Sequence, residues 1–138
     1  MIEITTDRAR MNVDAVHRFL SEDSYWATNI PRDVVARAIE NSLCFGAFDG
    51  EQQIGFARVI TDRATFAYLA DVYVLQTHRG KGVGKQLMQA VLEHPELQGL
   101  RRWHLVTRDA HALYAQFGFA PLESPERHMA IAVKNAYA

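Results

Sequence analysis

Residues 79–85, with the sequence Arg-Gly-Lys-Gly-Val-Gly-Lys, combine closely spaced glycines with three cationic side chains. The segment follows a β-like run and precedes a helical pattern. Its backbone N–H groups are therefore expected to converge where the helix dipole is positive. Gly82 and Gly84 lack a Cβ, which lets an anion approach the main chain closely. The arginine and the two lysines add positive charge around that point. The segment thus predicts a binding site for a phosphate or pyrophosphate group.

The spacing of the glycines separates this segment from two other phosphate-binding motifs. The nucleotide P-loop requires a serine or threonine after its Gly-Lys pair to bind magnesium, but here Gln86 follows Lys85. The dinucleotide fingerprint Gly-x-Gly-x-x-Gly belongs early in a parallel β-α-β unit, whereas these glycines alternate strictly and follow predicted antiparallel strands. Two interpretations remain: an Arg-x-x-Gly-x-Gly anion site after a strand, and a glycine-rich loop with solvated lysines.

Hydrophobic periodicity and turn residues predict the elements that position this segment. Asn12 is a good N-cap for a first helix, Pro31 suits the start of a second, and Asp49-Gly50 favours a tight hairpin turn. The predicted strands are residues 2–5, 43–48, 53–60, 66–74, 103–107 and 128–133, and the predicted helices are residues 12–21, 31–41, 83–94 and 110–117. This order indicates the α/β (α+β mixed) class, with helices on the faces of a mixed sheet.

Composition limits the classes of protein to consider. A chain of 138 residues, 49% hydrophobic and 22% charged, predicts a single globular domain spanning 1–138. Fifteen basic and sixteen acidic side chains give a net charge of −1, which argues against non-specific nucleic-acid binding. Neither a secretory leader nor a membrane-spanning run is present, so a cytoplasmic location is expected. Cys44 is the single cysteine, and no zinc-site spacing occurs, so no metal is predicted.

Three linked motifs resemble those of the GCN5-related N-acetyltransferase (GNAT) family. The run Ala70-Asp71-Val72-Tyr73-Val74 stands where the family has the strand before its cofactor loop, Arg-x-x-Gly-x-Gly begins at Arg79, and Tyr-x-x-x-Gly-Phe begins at Tyr114. The specific part of the resemblance lies between Phe66 and Phe119. The resemblance implies a GNAT-like mixed, mostly antiparallel sheet of six to seven strands, flanked by about four helices.

The resemblance also implies the co-substrate and the reaction. Acetyl-CoA is expected to donate its acetyl group, without a metal, to a primary amine of a small molecule or peptide that attacks directly in a ternary complex. Many family members carry an asparagine where this chain has Thr107, so no cofactor contact is carried over to that position. The implied cofactor-binding residues are Val72, Tyr73, Val74, Arg79, Gly80, Lys81, Gly82, Val83, Gly84 and Lys85.

Acetyl transfer to an amine requires removal of a proton from the amine, stabilisation of an oxyanion and a proton for the leaving thiolate. The resemblance places the backbone N–H groups around Val72 and Val74 at the thioester carbonyl, and Tyr114 near the sulfur as general acid. The alternative for Tyr114 is an ordinary core aromatic. These assignments do not identify the general base that takes the proton from the amine.

Asp71 is the first candidate for that base, because it is an acid within an apolar strand beside the expected cofactor residues. Its alternative role is to pair with an arginine such as Arg58 or Arg102. Weaker candidates for the base are His104, Glu22 and Asp23.

Tyr25 and Trp26 lie in a polar loop between the first two predicted helices. In the family this region covers the acceptor, so both are predicted to bind substrate; their alternative role is to cap the core. Two other functions stay open at this point: a non-catalytic acyl-CoA-binding sensor and a small nucleic-acid-binding module with a local basic patch. Two copies of the chain are also expected to be able to pair through sheets or helices as a homodimer.

Overall fold

The computed structural model describes residues 1–138. The strands are β1 Ile2–Thr5, β2 Leu43–Asp49, β3 Gln52–Thr61, β4 Phe66–Val74 and β5 Arg102–His104. The helices are α1 Val13–Arg18, α2 Arg32–Glu40, α3 Val83–Glu93 and α4 His111–Ala115; α1 continues into a π-helical turn, Phe19–Asp23. Short 3₁₀ turns occupy Arg8–Arg10, Gln76–His78, Pro95–Leu97 and Pro125–Arg127. None of these helices combines the length and the apolar character that a membrane span requires.

The five strands form one sheet in the order β1-β2-β3-β4-β5. The first four strands pair antiparallel, and β5 pairs parallel to β4. The side chains of α3 pack with one face of the sheet, and those of α1 and α2 pack with the other. The predicted fold class, a mixed and mostly antiparallel sheet flanked by four helices, is confirmed.

Two predictions of strands need correction. Residues 128–133 were expected to form a strand, but their backbone makes no ladder hydrogen bonds, so the sheet has five strands rather than six to seven. Alternating apolar residues predict a strand only where a neighbouring strand is within reach. The strand expected over 103–107 ends at His104, and Leu105 leaves the sheet. The early end of β5 leaves the second half of β4 without a partner strand on that side, where the candidate site lies.

Local signals position the other elements much as predicted. The Asn12 side chain accepts a hydrogen bond from the Ala15 N–H at 3.0 Å and so caps α1. Gly50 has φ +62° in the turn between β2 and β3, where a side chain would be strained. Cys44 is buried on β2, and burial raises the pKa of its thiol to about 11, so it acts as a small core residue.

The turn between β3 and β4 depends on the carboxylate of Asp62. It accepts hydrogen bonds from the backbone N–H groups of Ala64, Thr65 and Phe66 and from the Thr65 hydroxyl, at 2.7–3.2 Å. These bonds, chiefly those from Thr65, hold the pKa of Asp62 well below its ordinary value of 3.8. The ionised form is therefore the one that stabilises the turn.

We expect Asp62→Asn to lower the melting temperature at neutral pH. Because the folded-state pKa is depressed, the contribution of Asp62 is fully present above the ordinary pKa of 3.8 and is lost as pH falls towards the folded value. The difference in melting temperature between wild type and variant should then shrink below about pH 4. Thermal melts at a series of pH values measure this, and a difference that does not vary with pH would contradict it.

Candidate functional site

A cavity of about 430 Å³ opens beside the end of β4, next to α4 and the loop that joins α1 to α2. Five of the residues predicted for the site line it: Tyr25, Trp26, Asp71, Val72 and Tyr114. They come from three separate parts of the chain, which the fold brings to one place. The volume is that of a typical small-molecule site.

The cavity exists because β4 and β5 separate. Their pairing ends at Tyr68 and His104, beyond which β5 has no further residues. In β4, the register with β3 shifts so that Asp71 and Val72 together face a single residue, Ala57, which is a β-bulge. Asp71 has φ +54°, an uncommon conformation for a residue with a side chain. Such local strain is frequent at functional sites because it redirects a strand and its side chains.

Asp71 forms an ion pair at the wall of this cavity. Its Oδ2 accepts a hydrogen bond from Nε of Arg58 at 2.8 Å, and its Oδ1 accepts one from Nε1 of Trp26, also at 2.8 Å. The side chains of Arg58 and Asp71 are only 16% and 11% exposed. Both oxygens of this carboxylate are therefore already engaged by donors from the protein, and neither faces an incoming amine unpaired. The geometry therefore favours the arginine-partner role over the predicted general base.

The other predicted bases do not line the cavity. His104 stacks between Tyr68 and His128, with ring centroids 5.7 and 6.2 Å away, and its imidazole lines a separate groove. Asp23 lines a different cavity. The second carboxylate that lines the cavity beside β4 is Asp109, which no sequence motif marks. Asp109 is 69% exposed and its nearest cation is Arg108 at 3.9 Å, so it is the freer of the two acids.

Tyr114 lies on α4, lines the cavity and packs against the core between α3 and the sheet. Its functional and packing roles are therefore compatible. Burial, followed by the neighbouring Tyr25 and Asp109, raises the pKa of Tyr114 above its ordinary value of 10.0. The phenol consequently stays protonated around neutral pH, which is the state that a general acid requires.

Tyr25 and Trp26 both line the cavity and are 44% and 43% exposed. The Tyr25 hydroxyl accepts a hydrogen bond from the Arg108 backbone N–H at 2.9 Å, and the Arg108 guanidinium lies 3.7 Å from the centre of the tyrosine ring. Trp26 meets Tyr25 edge-on at 5.1 Å. The loop before α2 is thus tied to the loop before α4 across the site.

The glycine-rich segment leads directly into the N-terminus of α3. Gly80 and Gly82 both have φ +78°, and a Cβ added to either would meet nothing within 4 Å. No side chain caps the first N–H groups of α3, and Lys81 and Lys85 are exposed beside them. An anion site at a helix N-terminus has these features: an accessible main chain, unpaired N–H groups and nearby lysines.

Two of the predicted cofactor residues have side chains engaged elsewhere. Arg79 Nε donates to the Val74 carbonyl at 3.0 Å, which ties the glycine segment to β4. The Tyr73 ring stacks on Phe19 at 3.9 Å in the core on the opposite face of the sheet. Tyr73 therefore has only its backbone available to a cofactor on the cavity side.

Thr107 has a clear local role. Its Oγ1 accepts a hydrogen bond from the Ala110 N–H at 3.0 Å, at the start of α4. The threonine also lines the cavity, but its hydroxyl is already used to hold the helix that carries Tyr114.

Tyr68 and Tyr137 also line the cavity, and neither was predicted to belong to the site. In the sequence, Tyr68 is one of several apolar residues of β4, and no motif marks Tyr137.

Comparisons with known proteins agree on one family. The sequence model described as the Acetyltransferase (GNAT) family matches residues 13–119. An inferred acetyltransferase of Gibberella zeae is 36% identical and is aligned over 82% of this chain and 75% of its own length. The crystal structure of an inferred GNAT-family acetyltransferase from Xanthomonas campestris pv. campestris superposes with a TM-score of 0.98 at 51% identity, covering 100% of this chain and 97% of that one. An inferred acetyltransferase from Clostridium acetobutylicum, crystallised with acetyl-CoA, shares the fold at 16% identity and a TM-score of 0.70, covering 94% of this chain and 100% of that one.

Proposed function

Because the chain belongs to the GNAT family of acetyltransferases, we propose that it transfers acetyl from acetyl-CoA to a primary amine of a small molecule or peptide. The observation that carries the proposal is the cavity between the separated ends of β4 and β5, with Tyr114 in its wall. An amine in this cavity is positioned to attack a thioester directly, in a ternary complex.

The N-terminus of α3 fits the pyrophosphate of acetyl-CoA. Backbone N–H groups at the segment from Gly80 to Lys85 would hold the phosphates, and Lys81 and Lys85 would add charge-assisted contacts. Acetyl-CoA supplies the activated acetyl group, and the rest of the chemistry falls to residues of this chain. The structural neighbour crystallised with acetyl-CoA supports the same co-substrate here.

Three groups have roles in the transfer. The amine nitrogen attacks the thioester carbon, and the backbone N–H groups around Val72 and Val74, beside the bulge, would stabilise the oxyanion. The carbon–sulfur bond then breaks, and the leaving thiolate takes its proton from the Tyr114 hydroxyl. The amine loses a proton to Asp109, directly or through water, because Asp109 is the freer carboxylate in the cavity. Asp71 holds Trp26 and Arg58 in place instead.

Paired substitutions separate the roles of the two carboxylates. We expect Asp71→Asn to lower the free energy of unfolding by about 3 kcal/mol, because Arg58 loses its partner in a mostly buried pair. It should also raise KM for the amine, since the amide keeps one acceptor oxygen for the two donors Arg58 and Trp26, and the loop that carries Trp26 is held less firmly. We expect Asp109→Asn to leave stability unchanged and to lower kcat by about tenfold, because the amide cannot accept the proton of the amine.

Urea unfolding and steady-state kinetics measure both variants. Asp14→Asn, in the exposed pair with Arg32, is the matched control and should change neither quantity. A tenfold loss of kcat in Asp71→Asn at unchanged stability would restore Asp71 as the base.

Calorimetric titration with acetyl-CoA tests the proposal, followed by thiol-release assays with a panel of amines. Micromolar binding with turnover supports transfer; binding with no turnover on any amine supports the alternative of an acyl-CoA-binding sensor. The cavity beside Tyr114 favours turnover, because a sensor has no need of room for an acceptor. The cytoplasmic location and the homodimer stay predictions.

A further inference from the structure

The chemistry of the cavity wall indicates which amines it suits. Five aromatic side chains line it: Tyr25, Trp26, Tyr68, Tyr114 and Tyr137. The charged side chains of the wall are Arg58 and Asp71, which neutralise each other, and the exposed Asp109. A wall of this kind binds an apolar or aromatic body by contact and an ammonium group over ring faces. It offers little to a polyamine, which needs several separate anions.

Tyr137 differs from the other four aromatic residues in how it is held. The stretch 129–138 makes no hydrogen bond with the rest of the chain; its one backbone bond is internal, from the Ala138 N–H to the Asn135 carbonyl at 3.1 Å. Met129, Ile131 and Val133 are 97%, 100% and 74% exposed. Tyr137 is partly buried and packs against the core cluster beneath α1 and α2. Its ring therefore joins this stretch to the site by packing alone.

We propose that Tyr137 is a specificity-determining residue, whose ring closes the acceptor side of the cavity and fits it to compact arylalkylamines. The proposal rests on the proposed function, because the cavity is taken as the acceptor site. About 430 Å³ has to hold the acetyl end of the co-substrate as well as the amine. With Tyr137 in the wall, a one-ring amine fills the remaining space. Without the ring, the acceptor side of the cavity would be open to solvent, because no hydrogen bond holds residues 129–138 against the rest of the chain.

Substitution at Tyr137 and at a matched position in the same stretch tests the proposal. The substrates are phenethylamine, the bulkier naphthylethylamine, and spermidine. For Tyr137→Ala we expect kcat/KM with phenethylamine to fall by about tenfold and the preference for phenethylamine over naphthylethylamine to fall by a similar factor or reverse. Tyr137→Phe keeps the ring, and Ile131→Ala alters a fully exposed side chain, so both should stay within about twofold of wild type.

A binding measurement makes the outcome independent of turnover. Calorimetric titration of the CoA-bound protein with phenethylamine should show affinity that falls in Tyr137→Ala and persists in Tyr137→Phe. The proposal is overturned if wild type and Tyr137→Ala show the same preference among the amines, if Ile131→Ala reproduces the effect, or if spermidine is the best acceptor. Absence of acetyl-CoA binding to the wild type would instead refute the proposed function. Phenethylamine titrated into the free protein would then decide whether Tyr137 shapes an amine site.

Discussion

Gly82→Glu is expected to abolish acetyl-CoA binding, raising Kd by at least about a hundredfold. Gly82 precedes the first turn of α3, where no side chain caps the N–H groups. A glutamate there places a negative charge beside the expected phosphates and opposes Lys81 and Lys85. A Cβ at Gly82 would meet nothing within 4 Å, so the loss comes from charge and not from a steric clash. Calorimetric titration with acetyl-CoA measures it.

Two controls isolate the effect of charge at Gly82. The backbone conformation itself, φ +78°, is strained for any side chain, so Gly82→Ala reports that cost without the charge and should bind acetyl-CoA with only a small loss. Gly99→Glu adds the same charge at another open glycine, with φ +74°, beyond the opposite end of α3. It should bind like wild type. Equal affinity in wild type and Gly82→Glu would refute the phosphate site.

Tyr114→Phe is expected to lower kcat by about a hundredfold or more while leaving acetyl-CoA affinity unchanged. The phenylalanine keeps the ring that packs against the core and removes only the hydroxyl that would protonate the thiolate. Because burial raises the pKa of Tyr114 above 10.0, wild-type kcat should hold up to that pH before the phenol ionises and the proton donor is lost. The variant should lack this alkaline decline.

Tyr73→Phe is the matched control for loss of a tyrosine hydroxyl. Its ring stacks on Phe19 on the opposite face of the sheet, and its side chain does not line the cavity. Steady-state kinetics across pH, with acetyl-CoA binding measured in parallel, compare the two variants. Unchanged turnover in Tyr114→Phe would remove the tyrosine from the chemistry and leave it as a packing residue.

Elements whose signals are local were predictable from the sequence. β4 and β1 have the predicted bounds, and α3 begins at the predicted Val83, because apolar periodicity and glycine placement act over a few residues. Five of the residues predicted for the site, Tyr25, Trp26, Asp71, Val72 and Tyr114, line one cavity, and their roles stay predictions.

The role of Asp71 was not predictable in the same way. Its type and position suggested either a base or a partner for an arginine such as Arg58, and only the structure shows that Arg58 and Trp26, from β3 and from the loop before α2, occupy its two oxygens. An acid's basicity depends on the donors around it, and those donors come from distant parts of the chain. Asp109 and Tyr137 were missed for the same reason, since neither has a local pattern that marks it as part of a site.

By itself, the sequence determined the fold class, the family and the position of the glycine-rich segment before α3, because each follows from residue types at short and regular spacing. The tertiary structure alone decided that residues 128–133 stay outside the sheet, that β5 ends at His104, and that Asp71 anchors Trp26. Each of these depends on which backbone or side-chain groups meet across long separations in the chain. Such contacts depend on the packing of the whole molecule, which a local sequence pattern does not determine.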